Sequence, residues 1–512
     1  MPHLKSTVLS GALAVAGILL LILRASATPL DDIPIGDVPV GDPLEDEIRV
    51  LEMSGDSLRL PRRGMLPNQV IDLPALDRPL SQAAEISRLR LLRAISRDRD
   101  RSGSTPRLMQ LVYDDERLET SIGLEGRGIV SESEPELLSG SGVRLRMAAQ
   151  LGRWLAFADI LGGHVENSDA FAGRQLGNDA VLLTDKSQIS YTGARERWAA
   201  TVGRGRWHWG PGEEGSLVLS KTSPAFSAVT FRMRIEELRA DGMILNATLK
   251  SSSGTQLAAH RLEWQPLDRL RVGVSEAARY QATGWEPLYA VGVIPYSIVQ
   301  SLLVRDEPES SSTLRNNVIA GIDAAWRIAP GTRAYSEFLI DDLHTNNAET
   351  VNKYGYQVGL EGVGTVRGTR VRWNTEYTRL SRFVYTSYYD RSFVISGEPL
   401  GFPTGPDSRR LRVRIAWDPS VSWQFYGIGA RTDTGESGMD SVYTPGSPPV
   451  DAMEFAGVVE TRRALELGVR YWPASGVDIA ASAGFTWVRN EGHVESATKR
   501  EPFGALTLRL TR

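Results

Sequence analysis

The chain has no cysteine, which excludes a disulfide framework and any thiolate metal site. Its net charge is only −4 over 512 residues, so it carries no electrostatic footprint for nucleic acid. The six histidines are scattered, with no His-x-x-x-His pair and no carboxylate cluster, so neither a metal nor another cofactor is expected. After Ala27 there is no apolar run that could cross a bilayer as a helix, which takes about 20 residues. Asp341, Asp342 and His344 invite an acid–base reading, but nothing around them adds to it, and they read as a solvated loop end.

What is present begins at the N-terminus. Lys5, an uncharged and mostly apolar run from Val8 to Leu23, and the small-residue site Ala25-Ser26-Ala27 are the grammar of a secretory signal peptide over 1–27. The competing reading is an uncleaved anchor. Residues 28–47 form a linker in which IPIGDVPVGDP repeats a Pro- and Asp-rich unit that cannot be helical. Leu44, Ile48 and Leu51 then predict a short helix over 44–54. Pro61, Gly64, Pro67 and Pro74 break the following stretch into loop. A second helix is expected from about Pro79, with Ile86, Leu89, Leu92 and Ile95 on one stripe and Arg88, Arg90, Arg93 and Arg97 around it.

From about residue 107 the hydrophobic period changes from helical to twofold and stays so. Val143, Leu145 and Met147 alternate with Arg144 and Arg146. Leu270, Val272 and Val274 alternate with Arg269, Arg271 and Gly273. Leu411, Val413, Ile415 and Trp417 alternate with Arg410, Arg412 and Arg414, and Val358 and Leu360 with Gln357, Gly359 and Glu361. The last strand sets Leu506, Leu508 and Leu510 against Thr507, Arg509 and Thr511.

The polar face is the informative one. A soluble sandwich shows water a mixture of Lys, Thr, Ser and Glu; here the polar face is repeatedly Arg, Glu and Gly. Glycine weakens a strand, yet it recurs there. A barrel lumen explains both: Arg and Glu interlock across the interior, and Gly makes room where side chains converge. The apolar face then meets lipid, with Trp and Tyr near the interfaces. Only a closed barrel lets β-structure span, because every backbone group must be paired.

The expected fold is therefore all-β, a transmembrane antiparallel barrel of about 18 strands with a small N-terminal helical periplasmic segment. Strands are expected within 107–127, 143–161, 180–203, 215–280, 312–341, 354–380, 408–431 and 455–511. Long loops fall near 163–179, 281–311, 342–353, 381–407 and 432–454. The implied division is signal peptide 1–27, periplasmic linker and helical segment 28–106, and outer-membrane barrel 107–512.

Residues 203–226 read GRGRWHWGPGEEGSLVLSKTSPAF. This segment resembles the Wzi-type capsule assembly proteins, with Trp209, Gly210, Pro211, Gly212, Ser216, Leu217, Leu219, Ser220 and Pro224 on the family's pattern. Glu213 and Glu214 depart from it. Residues 73–86 and 397–414 agree more loosely. The resemblance implies an eighteen-stranded outer-membrane barrel of a Gram-negative bacterium, a helical periplasmic bundle, and a lectin-like role in holding capsular or extracellular polysaccharide at the cell surface. The expected partners are that polysaccharide and outer-membrane lipid, with no nucleic acid, and the expected state is a monomer without enzymatic activity.

Two segments are candidate sugar contacts. Trp207 and Trp209 could stack on sugar rings; the competing reading is a Gly-Pro-Gly turn anchored by its tryptophans. The loop carrying Arg382, Phe383, Tyr385, Tyr388, Tyr389, Asp390, Arg391 and Phe393 could grip an anionic polymer through Arg and stack it on Tyr; the competing reading is a folded loop core. The inward arginines could select anions as in a porin or pair with lumen carboxylates and fill the barrel; the filled barrel is the expectation. A barrel hydrolase would need a nucleophile hydrogen-bonded to His164, His208, His260, His344 or His493, and no motif supports one.

Overall fold

The computed structural model describes residues 37–39, 45–54, 68–70, 82–95 and 109–511, the last with gaps at 114–115, 132–140, 165–173, 176–179, 194–196, 306–315, 343–350, 388–391, 445–446, 448–449 and 475–476. The expected signal peptide and the start of the second helix near Pro79 lie outside the described residues.

Among the described residues eighteen long antiparallel strands close into one barrel, with the short strands Met109–Tyr113 and Arg174–Gln175 paired onto the same sheet. In chain order they are β1 (Glu116–Ser131), β2 (Ser141–Leu151), β3 (Trp154–His164), β4 (Ala180–Thr192), β5 (Trp198–Gly205) and β6 (Phe226–Ile235). There follow β7 (Ala240–Lys250), β8 (Thr255–Leu267), β9 (Leu270–Gln281), β10 (Asn317–Ala329), β11 (Thr332–Asp342) and β12 (Lys353–Val366). The last six are β13 (Thr369–Leu380), β14 (Ser408–Ser420), β15 (Trp423–Thr434), β16 (Glu460–Tyr471), β17 (Val477–Arg489) and β18 (Thr498–Thr511). Closure comes from β18 pairing with β1, Leu510 opposite Leu124 and Phe503 opposite Ser131, so the wall has no open edge. Tight turns such as 268–269, 330–331 and 367–368 lie at one end, together with both ends of the strand series; the longer connections gather at the other.

The twofold alternation fixes which side faces out. Leu465, Leu467 and Phe485 are exposed on the wall, while their strand neighbours turn inward. At the short-turn end, Trp154, Tyr191, Trp198 and Phe231 form one chain of ring contacts and Trp417, Phe425, Trp423 and Tyr471 another, as expected of an interfacial girdle. Inside, Gly359 passes beneath the Tyr335 ring, where a Cβ would lie 2.1 Å from it. Glycine there makes room for a converging lumen side chain, as the sequence pattern suggests.

Three expectations are corrected. Residues 215–225 are not strand, because the backbone there turns into the lumen. Arg269 is not in the inward row; it sits in the tight turn between β8 and β9 and is exposed. The connection after β9, expected as plain loop, contains α3 (Pro287–Val291) and α4 (Tyr296–Arg305), preceded in the chain by α1 (Glu45–Ser54) and α2 (Gln82–Ile95).

Helices α3 and α4 fold back over the outside of the wall. Tyr289, Tyr296 and Val299 pack on Ala258, Ala278 and Tyr280, whose parity in β8 and β9 is that of the exposed Leu262 and Val274. Asn246 donates to the Ala290 carbonyl at 3.0 Å. Glu276 accepts the Tyr296 amide at 2.7 Å and faces His260 at 3.1 Å. The helices thereby cover polar groups on the outer wall that lipid could not satisfy.

The outward assignment has a direct test. Leu467→Arg, in the middle of β16, should cost about 2–4 kcal/mol if that face meets lipid, read as a shift in the urea midpoint of folding into vesicles. An unshifted midpoint would contradict the assignment.

Candidate functional site

The lumen is crossed by charge that the chain supplies to itself. Helix α1 opens with Glu45, Asp46 and Glu47, and each finds a cation. Glu45 meets Lys221 at 3.0 Å, and Asp46 meets Arg414 at 2.6 Å. Glu47 joins a quartet: Arg370 reaches it at 2.8 Å and Asp418 at 2.7 Å, and Arg90 of α2 reaches both carboxylates at 2.8 Å. Arg370 and Asp418 are fully buried. Arg90 also donates to the carbonyls of Ser420, Val421 and Trp423 in the tight turn after β14, which ties α2 to the short-turn mouth. Further along α1, Glu52 pairs with Arg333, and Arg49 pairs with Glu361 at 2.9 Å. The helix is thus an acidic plug in a basic wall, with Arg49 as its one reversed contact among these pairs.

The connection from β5 to β6, residues 206–225, enters from the opposite end. Glu337 of β11 holds its backbone: one carboxylate oxygen accepts the Gly212 amide at 3.0 Å and the other the Leu217 amide at 2.8 Å. The Ser216 hydroxyl lies 2.9 Å from the same carboxylate. Glu376 of β13 accepts the Glu213 amide and the Tyr335 hydroxyl, both at 2.7 Å. Glycine is required at 210, since a Cβ there would meet the Glu337 carboxylate at 2.2 Å. Arg49 donates to the carbonyls of Pro211 and Gly212, so plug and loop touch at the centre. Glu214 pairs with Arg410 at 2.6 Å, and Glu213 with Arg412 and Arg414 at 3.1 Å. The two residues that depart from the family pattern are therefore the loop's anchors to the inward arginine row of β14.

Burial opposes ionisation of Glu213, but Arg412 and Arg414 outweigh it and hold its carboxyl at about 2. Burial likewise opposes Asp46 and Glu47, and their arginines again prevail, lowering both. A half-open pocket beside α1 is lined by Asp46, Arg49, Glu213, Glu361, Arg372 and Arg414 among others.

The expected sugar contacts divide. Trp207 and Trp209 are 2% and 1% exposed and pack with Leu217, Leu219 and Phe226, so their faces belong to the lumen core and not to an external sugar. The motif residues serve the same core: Ser216, Leu217, Leu219 and Ser220 are all buried, and Pro224 leads into β6. In the second segment, Tyr385 is fully buried. Its hydroxyl donates to the Leu217 carbonyl at 2.6 Å and accepts the Phe402 amide at 3.1 Å, which pins the 381–407 loop onto the in-folded one. Phe393 is buried beside it, Phe383 is buried in a separate cluster with Val351 and Ala452, and Arg382 is half-buried. Tyr388, Tyr389 and Arg391 lie outside the described residues. Sequence reasoning missed Glu337, Glu376 and Arg370 as organisers, although their strand parity already pointed them inward.

Of the histidines proposed for a hydrolase, His260 faces Glu276 on the outer wall and His493 lies 2.7 Å from the Val458 carbonyl. His208 lies 2.9 Å from the Gly212 carbonyl, and the side chains of His164 and His344 lie outside the described residues.

Comparison with known proteins adds three findings. The family described as capsule assembly protein Wzi matches residues 137–501. No curated protein matches the chain. Among solved structures, Wzi of Escherichia coli, an outer membrane protein described as a carbohydrate-binding β-barrel involved in group 1 capsule assembly, is 15% identical over 92% of this chain and 99% of that one, with a TM-score of 0.62. Pseudomonas aeruginosa OprD and OpdK are 8% and 11% identical over 77% and 78% of this chain and 95% and 98% of theirs. Their TM-scores of 0.43 and 0.44 are too low to bear on the site.

Two outcomes follow from the lumen network. Arg370→Ala leaves Glu47 and Asp418 buried with one cation fewer and should cost about 3–5 kcal/mol, measured as the thermal midpoint of the detergent-solubilised barrel. The depressed carboxyl of Glu213 contributes stability in full above its ordinary value of 4.5 and loses it as pH falls towards 2. The midpoint should therefore drop across that window, and Glu213→Gln should flatten the drop while lowering the midpoint at neutral pH.

Proposed function

The chain belongs to the Wzi capsule assembly family, and from that premise we propose that it stands in the outer membrane of a Gram-negative bacterium and attaches capsular or extracellular polysaccharide to the cell surface. The observation that carries this reading is the filled lumen. Plug helix, in-folded loop and inward arginines neutralise one another across the described interior, so the interior is built to be rigid and closed rather than to conduct. Function then belongs to the loop layer at the end away from the short turns. In this orientation the short-turn mouth with α1 and α2 faces the periplasm, the arrangement usual for outer-membrane barrels, and the mature chain starts near Thr28.

The reading is non-catalytic: the barrel acts as a monomeric lectin-like anchor. A loop layer held from below suits repeated weak contacts with a polymer, which multiply into firm attachment. Within it, Tyr388, Tyr389 and Arg391 are our candidates, because they follow Tyr385 in sequence and offer stacking area and a carboxylate-gripping cation. Tyr385 itself acts as their tether.

Deleting the protein should lower the ratio of cell-bound to shed polysaccharide by about tenfold without lowering total synthesis. Replacing Tyr388, Tyr389 and Arg391 together by Ala should reproduce most of that shift with the barrel intact. If the deletion leaves the ratio unchanged, the attachment role is wrong; if only the deletion changes it, the role stands and the loop assignment fails.

A further inference from the structure

The outer wall near the loop end carries a second charged array that the lumen does not use. The register of β14 to β18 sorts it into cross-strand lines. One line runs Leu411, Arg431, Arg463, Trp487, Arg500, and the next towards the loops runs Arg409, Asp433, Thr461, Arg489, Thr498. The line on the other side runs Val413, Gly429, Leu465, Phe485, Pro502 and has no charge. All share the outward parity of Leu465, Phe485 and Trp487, which are 48%, 53% and 37% exposed. The wall therefore passes from apolar belt to arginine within one pleat repeat.

These arginines are short of partners. Arg409 and Arg431 share one carboxylate, Asp433, at 2.7 and 3.1 Å, and Arg409 also lies over the Phe455 ring. Arg463, Arg489 and Arg500 are exposed, and none of the three side chains has a hydrogen bond or ion pair to a described residue. Arg431 and Arg463 stand directly opposite one another, an arrangement that is destabilising between like charges. The neighbouring pair Arg379 and Arg409 is also opposite, but there the chain supplies relief: Arg379 donates to the carbonyls of Leu380 and Ser408 and lies over Phe455. No described group does this for the other three.

We propose that Arg463, Arg489 and Arg500, with Arg431 behind them, form a binding site for the phosphates of outer-leaflet lipid. Guanidinium pairs with phosphate bidentately. Arg463 and Arg500 lie on the lipid-facing wall one repeat above Leu465 and Phe485 and Arg489 lies two repeats above, which places the group at headgroup depth when those side chains are among acyl chains. Trp487 sits between Arg463 and Arg500 in register, as an interfacial aromatic would. The occupant is a phosphorylated glycolipid, the lipid that fills the outer leaflet of such membranes. The proposal rests on the outer-membrane reading but not on polysaccharide attachment.

The test uses the full-length protein in detergent, with native mass spectrometry reading retained lipid. The two additives are a diphosphorylated lipid A and the same lipid after enzymatic dephosphorylation. Wild type should retain the phosphorylated form preferentially. The triple variant Arg463→Gln, Arg489→Gln, Arg500→Gln should lose that preference by about a hundredfold, with heat-modifiable migration confirming an intact barrel. Arg462→Gln, which removes a neighbouring arginine paired with Glu460, should leave it unchanged. Equal retention of both lipids by wild type, or an undiminished preference in the triple variant, overturns the proposal. So does an equal loss in the Arg462 control, which would mean bulk charge and not a site. A triple variant that sheds polysaccharide while retaining lipid as wild type does would reassign the row to the polymer.

Discussion

The structure depends on one constraint: arginines pointed into a closed barrel must find anions there. A strand that puts aliphatic side chains into lipid must put its alternate residues inside, and in β13 and β14 those are Arg370, Arg372, Arg410, Arg412 and Arg414. Buried cations without partners are prohibitive. The wall provides some anions itself, as where Arg261 meets Asp323 at 2.6 Å. The rest arrive on two segments from outside the strand order, the acidic first turn of α1 and the Glu213–Glu214 pair. Filling the lumen is thus how its charge is neutralised.

The same constraint explains why the family motif lies in a loop and is mostly buried. Its tryptophans, glycines and serines shape a backbone that two carboxylates, Glu337 and Glu376, can hold by its amides. Tyr385 extends that order to a second loop, since its hydroxyl rests on the in-folded one. Plug, in-folded loop and the Tyr385 segment are linked in one series of contacts from the short-turn mouth inward.

The outer wall follows the opposite rule, and its exceptions are informative. Polar groups on that face are covered by the chain, as α3 and α4 cover Asn246 and Glu276. They can also be gathered within two neighbouring cross-strand lines, as the arginines of β15 to β18 are. An outward charge inside the apolar belt would oppose insertion; the same charge one repeat higher meets the headgroups.

How much was legible in the sequence follows from what is local. Alternation is a property of neighbouring residues, so the strands, the inward side of Arg144, Arg271 and Arg414, the helix around Ile48 and the approximate strand number could be read directly. Arg269 was misread because two residues of turn look like two more of strand. The stretch Ser216–Leu219 was misread because an apolar run does not say whether it pairs sideways or folds inward. Which carboxylate meets which arginine could not be read at all: Glu47 and Arg370 are 323 residues apart in sequence, and only closure of the barrel brings them together. Burial of Trp207, Trp209 and Tyr385 was hidden for the same reason, since an aromatic residue in a loop has the same local sequence whether it faces a sugar or a core. Sequence by itself determined the wall, because a wall is a periodic object. Tertiary structure decided what fills it, because long-range pairing of buried charge has no period.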